Sequence, residues 1–203
     1  MDPTRKEMNP KERFEHLLKV ISSERFLNKK GLGNEVPFFI CPYPADQAVA
    51  IETMRANLVN QLTNIGVRVL EINLYDLSIA LLRDRGIWDT TITAEPGWSK
   101  AELYEHLQAV LDPQDHLIPA IGARLLELEY DVLFLSGVGE VYPFIRSHNV
   151  LNNLQSTAKE KPTLLFFPGT YTHRLATGAS LDLFGVSHDD KYYRAFNILH
   201  YEV

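Results

Sequence analysis

The side chains best able to do chemistry in this chain crowd into one stretch, SGVGEVYPFIRSHNVLNNLQ, residues 136–155. A carboxylate, Glu140, follows two glycines at the end of the apolar run DVLFLS. An ATPase keeps a metal-polarising acid at such a place, and Gly137 and Gly139 would let backbone amides face an anion. Farther on, Arg146, Asn149 and Asn153 are spaced by three and four, which puts them on one helix face. His148 and Asn152 form a second pair of the same kind. So many polar residues on a helix covering a sheet suggest a recognition surface. The competing reading is that they cap the helix, satisfy buried backbone and face water.

Other candidates gather at neighbouring positions. FPGTYTHR carries Thr170, Thr172 and His173, and SLDLFGVSHDDKYYR places His188, Asp189, Asp190, Lys191 and Arg194 around two tyrosines. Asp and His can ligate a metal. HDD lacks a characteristic ligand spacing, so a structural loop is the expectation and no metal is assigned. Cys41, the one cysteine, could in principle pair with a histidine as a nucleophile. Its place at an apolar strand end beside prolines instead reads as a buried small hydrophobe. Ser136 lacks the GxSxG elbow. ICPYPADQ has neither the glycines nor the lysine of GxxxxGK[ST], and no GxGxxG opens a helix, so no nucleotide cofactor is expected. Gly31-Leu32-Gly33 precedes a strand and reads as a turn. Trp88 in RGIWD and Trp98 read as packing residues or partner anchors.

Periodicity supplies the elements that must position these residues. A helix is expected from about Pro10 to Lys29, with Phe14, Leu17, Leu18 and Ile21 on one face. Val36 to Cys41 reads as a buried strand stopped by Pro42 and Pro44. The next helix carries Ile51, Met54, Leu58, Leu62 and Ile65, with Gly66 placed to end it. Val67 to Leu74 is a second strand, and Asp76 is positioned to cap a short helix. Ser99 with Glu102 forms a capping box for the helix through Val110, which Pro113 ends. A further helix carries Leu117, Ile121, Leu125 and Leu128. Asp131 to Ser136 is the third strand, followed by a helix from about Pro143 to Lys159. Thr163 to Phe167 and Phe196 to His200 complete five strands. The alternation predicts a three-layer, doubly wound α/β sandwich around a mainly parallel sheet, with 1–203 as one domain and 1–30 as its helical arm. In such a sheet, ligands sit beyond the carboxyl ends of the strands. The residues above fall there.

Composition bounds the function. The chain has 203 residues, 45% hydrophobic and 23% charged, enough for a sizeable core without disulfides. No apolar run approaches a membrane span, and MDPTRKEMNP lacks the apolar core of a signal peptide, so the expected location is cytoplasmic. Net charge is −6, made of +3 over residues 1–30 and −9 over the rest. An acidic body repels phosphates and binds nucleic acid poorly, and the basic amino-terminal arm reads as a solvated helix face, with DNA contact through it as the alternative.

The segments GLGNEVPFFICPY, VLEINLYDL, RGIWD, DVLFLSGVGEVYPFIRSHNVLNNLQ, FFPGTYTH and DDKYYRAFNILHYE together resemble the BrxB family of BREX bacteriophage-exclusion systems. The resemblance runs from about Leu27 to the carboxyl terminus. It implies a bacterial cytoplasmic protein required for phage defence and for the accompanying methylation of host DNA. It also implies companions: PglZ, which is alkaline-phosphatase-like, a PglX methyltransferase and a large P-loop ATPase. The family supplies no catalytic residue to carry over. The implied role is assembly, with PglZ as the expected partner and a degenerate P-loop or other Rossmann-like domain kept for its surface. Gly137, Gly139, Glu140, Arg146, His148, Asn149, Asn152, Asn153, His173, Asp190 and Lys191 form the candidate partner- or ligand-binding surface. The alternative is a nucleotide- or nucleic-acid-responsive enzyme using Glu140, Arg146, His148, His173 and Asp190 around one cleft.

Overall fold

The computed structural model describes residues 8–30, 37–174, 178–185, 187–189 and 195–203. Helix α1 (Pro10–Ile21) opens on a capping box, Asn9 accepting from the Glu12 amide at 3.0 Å and Glu12 from the Asn9 amide at 2.9 Å. The helix expected to reach Lys29 breaks at Ser22-Ser23. Ser23 accepts from the Phe26 amide and starts the short α2 (Glu24–Leu27), the usual competition of a serine side chain with the helix ladder. Strand β1 (Phe38–Tyr43) runs through Pro42 rather than stopping at Cys41. Its neighbour β7 (Phe196–Asn197) pairs only with Phe39 and Ile40, so β1 is an edge at Pro42 on that side, where a strand tolerates proline.

Helix α3 (Ala48–Asn64) buries Ile51, Leu58 and Leu62 as expected. Ile65 is instead exposed, because it lies beyond the last helical residue, and Gly66 follows at φ +86. In β2 (Val69–Asn73) and α4 (Leu74–Asp84) the expected cap is corrected: Asn73, not Asp76, caps α4 by accepting from the Tyr75 and Asp76 amides at 2.8 and 3.3 Å. Helix α5 (Trp88–Ala94) leads to α6 (Lys100–Val110), opened by the expected Ser99–Glu102 box. A wide helical turn over Pro113–Leu117 runs into α7 (Ile118–Glu127), leaving Leu128 outside the helix and exposed.

After β3 (Val132–Ser136), the helix expected over about 143–159 is only α8 (Ser147–Leu154). The amides of Thr157 and Ala158 both return to the Leu154 carbonyl and close it. Strand β4 (Thr163–Arg174) continues well past Phe167. Beyond Pro168 it pairs antiparallel with β5 (Gly178–Leu183), which pairs with β6 (Ser187–Asp189). The fifth parallel strand is β7, shorter than expected because Asn197 accepts from the Leu199 amide and turns the chain into a helical turn over Ile198–His200.

Among the described residues five strands lie parallel in the order β2-β3-β4-β1-β7, and β5 and β6 extend from β4 as the antiparallel part. Alternate residues feed two cores. Phe38, Ile40, Leu133, Leu135, Leu165 and Phe167 face α4, α7 and α8. Phe39, Cys41, Phe134, Leu164 and Phe166 face α1 and α3. The molecule is thus an α/β sandwich with helices on both sheet faces. From β1 the chain crosses to β2 at one edge, whereas from β4 it passes toward β7 at the other. The switch point lies between β1 and β4. Among the described residues no helix is long and apolar enough to cross a membrane.

An ion-pair clamp ties β2 to β3 at their amino ends. Arg68 donates from its amide and Nε to Asp131 Oδ2 at 2.9 and 3.0 Å, and from Nη2 to Oδ1 at 2.9 Å, while Nη1 reaches Glu129. The Arg68 hydrogen bonds hold the Asp131 carboxyl below the usual carboxylate range. A lowered folded-state pKa adds stability above the unfolded value, ~3.9, and that stability is lost as pH falls through the folded value. Asp131→Asn is therefore expected to lower the urea midpoint at neutral pH, with the difference from the parent closing toward pH ~2. A difference that widens in acid would contradict the clamp.

Candidate functional site at the carboxyl ends of the strands

Register brings the carboxyl ends of β1, β2 and β3 and the Pro168 stretch of β4 to one rim. Asn73 of β2 lies beside Ser136 of β3, and Tyr43 of β1 beside Pro168 of β4. Gly137 turns the chain at φ +78 immediately behind the Asn73 cap: a Cβ there would stand 2.3 Å from Asn73 Oδ1 and 3.0 Å from the Leu74 amide nitrogen. Its carbonyl accepts from the amides of Glu140 and Val141 at 3.1 and 3.3 Å, so those donors serve the turn. Gly139 is covered from the other side. A Cβ on it would meet the Phe184 ring at 2.8 Å and Pro168 at 3.1 Å. Phe184 itself sits at φ 54, an unfavourable place for a bulky residue, and lies edge-on to Tyr142 with ring centroids 6.3 Å apart. Both glycines therefore serve close packing of the loop after β3 against β2, β4 and β5.

Glu140 is exposed on that loop. Partial burial raises its pKa, and the negative charges of Glu52 and Asp76 raise it further against the opposing pull of Arg55. Arg55 is ion-paired with Glu71 and lies 3.7 Å from Glu52. The Tyr43 hydroxyl beside them is pushed up to about 12, by burial first and then by the Cys41 thiol and Glu140. Glu52 and Asp76 thus lie near Glu140 at the rim, with the Arg55 guanidinium held between Glu52 and Glu71. Such a field repels phosphate and attracts cationic groups. Among the described residues no three His, Cys, Asp or Glu side chains are grouped to hold a metal ion. Cys41 is fully buried, and burial pushes its thiol up to about 12, the condition of an inert core cysteine.

Helix α8 divides the polar set read from its sequence. Arg146 is exposed just before the helix and Asn152 is exposed along it. Asn149 and Asn153 are half-buried and tied together, the Asn153 amide donating to the Asn149 carbonyl at 2.7 Å. His148 is buried, at 4% exposure, with Ser147, Val150, Leu151 and Leu154. Of the pair His148 and Asn152, only Asn152 is open to solvent. His173 lies on the antiparallel stretch of β4, in register with Ala179. Thr170, on the same stretch, donates to Asp182 at 3.4 Å. Asp190 and Lys191 lie outside the described residues, as do Arg194 and the Gly31–Gly33 turn.

Sequence reasoning passed over a groove on the opposite side of the rim from α3. It is an open depression of ≈ 540 Å³ lined by Tyr75, Asp76, Ile79, Ala80 and Arg83 of α4 and by Trp88 of α5. The signal was available: Tyr75, Ile79 and Arg83 recur at four-residue spacing, which sets them on one stripe of α4 beside the buried Leu82. Its interpretation needed the position of Trp88, which only the fold supplies.

Comparison with known proteins places these features in a family setting. The family model described as "BREX protein BrxB" matches residues 70–198, which span the rim loop, α8 and the groove. The chain is 32% identical over 192 residues to a BREX protein BrxB of Bacillus cereus (strain H3081.97), covering 93% of this chain and 96% of that one. It is 27% identical over 179 residues to a BREX protein BrxB of Escherichia coli O9:H4 (strain HS), covering 88% and 86%. No solved structure matches.

Proposed function

Because the chain belongs to the BrxB family of BREX proteins, we propose that it acts as a non-catalytic assembly subunit of a BREX defence system, in the cytoplasm. Its partner in this reading is PglZ, and through that complex it supports phage restriction and host-DNA methylation. The observation that carries the reading is the rim. A doubly wound sheet offers its ligand crevice there, and here the loop after β3 packs down through Gly137 and Gly139 amid an excess of carboxylates. Packing of that kind supports a rigid surface, and the charge opposes a phosphate-bearing ligand. The surface of Gly137, Gly139, Glu140, Arg146, His148, Asn149, Asn152, Asn153, His173, Asp190 and Lys191 is retained in the proposal through its open members, Glu140, Arg146 and Asn152.

The reading is tested by complementation. In a host lacking this chain, the double variant Glu140→Gln, His173→Ala is expected to lower phage restriction only as far as it weakens the complex with PglZ. An enzyme using these groups for acid–base chemistry would lose about 100-fold or more of its activity. Loss of restriction by a double variant that still folds and joins PglZ with parental affinity would overturn the non-catalytic reading.

A further inference from the structure

We infer that Phe184 is a positioning residue: it latches the tip of the loop after β3, Gly139-Glu140, in the pose that presents the rim surface to a partner. The inference rests on the assembly reading above and names the residue that presets its surface. It starts from a misfit between side chain and backbone. Phe184 and Gly185 follow β5 at φ 54 and φ 73, two left-handed positions in a row. Glycine and asparagine fill such positions, because a Cβ there crowds the following carbonyl. Gly185 has open space around it and obeys the rule. Phe184 breaks it. With its ring 43% exposed, it regains only part of the apolar burial that would offset the strain. A bulky residue held in that region is over-determined by its contacts, so the position is kept for its side chain and not for its backbone.

Those contacts lead to the loop tip. Val138, Val141 and Ile145 are buried in the core that faces α4, α7 and α8, and they fix the base of the loop. Gly139 and Glu140 stand between these anchors, with Glu140 exposed. There the backbone meets the Phe184 ring, which an added Cβ on Gly139 would approach to 2.8 Å, and Pro168. The Phe184 amide donates to the Pro168 carbonyl at 3.0 Å and ties the ring's own backbone to β4. Support thus runs from β4 through Phe184 to the tip. Without the ring, Gly139 would be free on that side, and glycine has more backbone freedom to use than any other residue.

Phe184→Asn separates the latch from the fold. Asparagine accepts left-handed backbone, so relief of strain offsets loss of the half-buried ring, and the variant should melt within about 3 °C of the parent. In the free full chain the Glu140 and Val141 amides, both bound to the Gly137 carbonyl, should nevertheless exchange about 10-fold faster, with the β3 amides unchanged. In the complex with PglZ, or with whichever other BREX component co-purifies, affinity should fall about 10-fold, as when about a tenth of the molecules hold the competent pose. Phe184→Tyr keeps the ring and should stay within about twofold on both readings. Gly139→Ala, whose methyl displaces the ring, should speed the same two amides and add little once Phe184→Asn is present. Unchanged exchange at Glu140 and Val141 in Phe184→Asn would overturn the latch and leave the assembly reading intact. Faster exchange with parental affinity would overturn the positioning role, again without touching assembly. A variant that melts far lower and exchanges faster at every amide would reduce Phe184 to packing and overturn the inference too. A chain that joins no BREX component would overturn both readings.

Discussion

Replacing Phe39 by alanine is expected to remove about 3–5 kcal/mol of folding stability, a large share of what a domain of this size holds. Phe39 is fully buried in β1. Its ring lies 4.6 Å from Phe26 of α2, 5.3 Å and edge-on from Tyr201, and 5.7 Å from Phe196 of β7. One side chain therefore joins the amino-terminal helices, the central sheet and the carboxyl end. The cavity left by alanine cannot collapse, because three of its walls come from separate elements. Urea unfolding measures the effect, and Leu126→Ala on the exposed face of α7 is the control, expected within about 0.5 kcal/mol of the parent. A loss below about 1.5 kcal/mol at Phe39 would mean that these walls do close, contrary to the packing described.

Gly137→Ala is expected to cost about 2–3 kcal/mol. Left-handed backbone accounts for ~1–2 kcal/mol of this, and the displaced cap on α4 for about 1 kcal/mol. The new methyl would lie 2.3 Å from Asn73 Oδ1, so the cap and the glycine cannot both keep their places. Gly66 separates the two causes. It has φ +86 with nothing within 4 Å of an added Cβ, so Gly66→Ala carries the backbone cost alone, ~1–2 kcal/mol. Removing the Asn73 side chain first should shrink the Gly137→Ala penalty, and a double-mutant cycle reads the difference. Equal costs at Gly66 and Gly137 would show that Asn73 yields freely, and would remove the reason given for a rigid rim.

Much of this architecture was legible because local chemistry and tertiary packing agree. DVLFLS, TLLFF and the Ser99–Glu102 box each form the expected element, and both sheet faces are covered by helices. The misreadings occur where a side chain overrides the pattern. Ser23 splits the first helix, Asn73 takes the cap from Asp76, and Asn197 cuts the last strand short. The β4–β5 pairing was hidden because GTYTHR carries too few apolar residues to read as strand. Gly169 permits the close approach there, since a Cβ would stand 2.1 Å from the Asp182 carbonyl oxygen. The candidate surface was legible only in part. Spacing put His148 and Asn152 on one face, but only the packed molecule shows that the core edge runs between them. The groove needed α4 and α5 brought together across an intervening turn, which periodicity does not supply.

Whether this chain works by holding a partner is read by native mass measurement after co-expression with the other BREX components. A discrete complex containing this chain and PglZ that survives dilution below micromolar is expected, with no nucleotide turnover by the isolated chain. A chain that remains alone beside every component, while hydrolysing nucleotide in a manner abolished by Glu140→Gln, would contradict it.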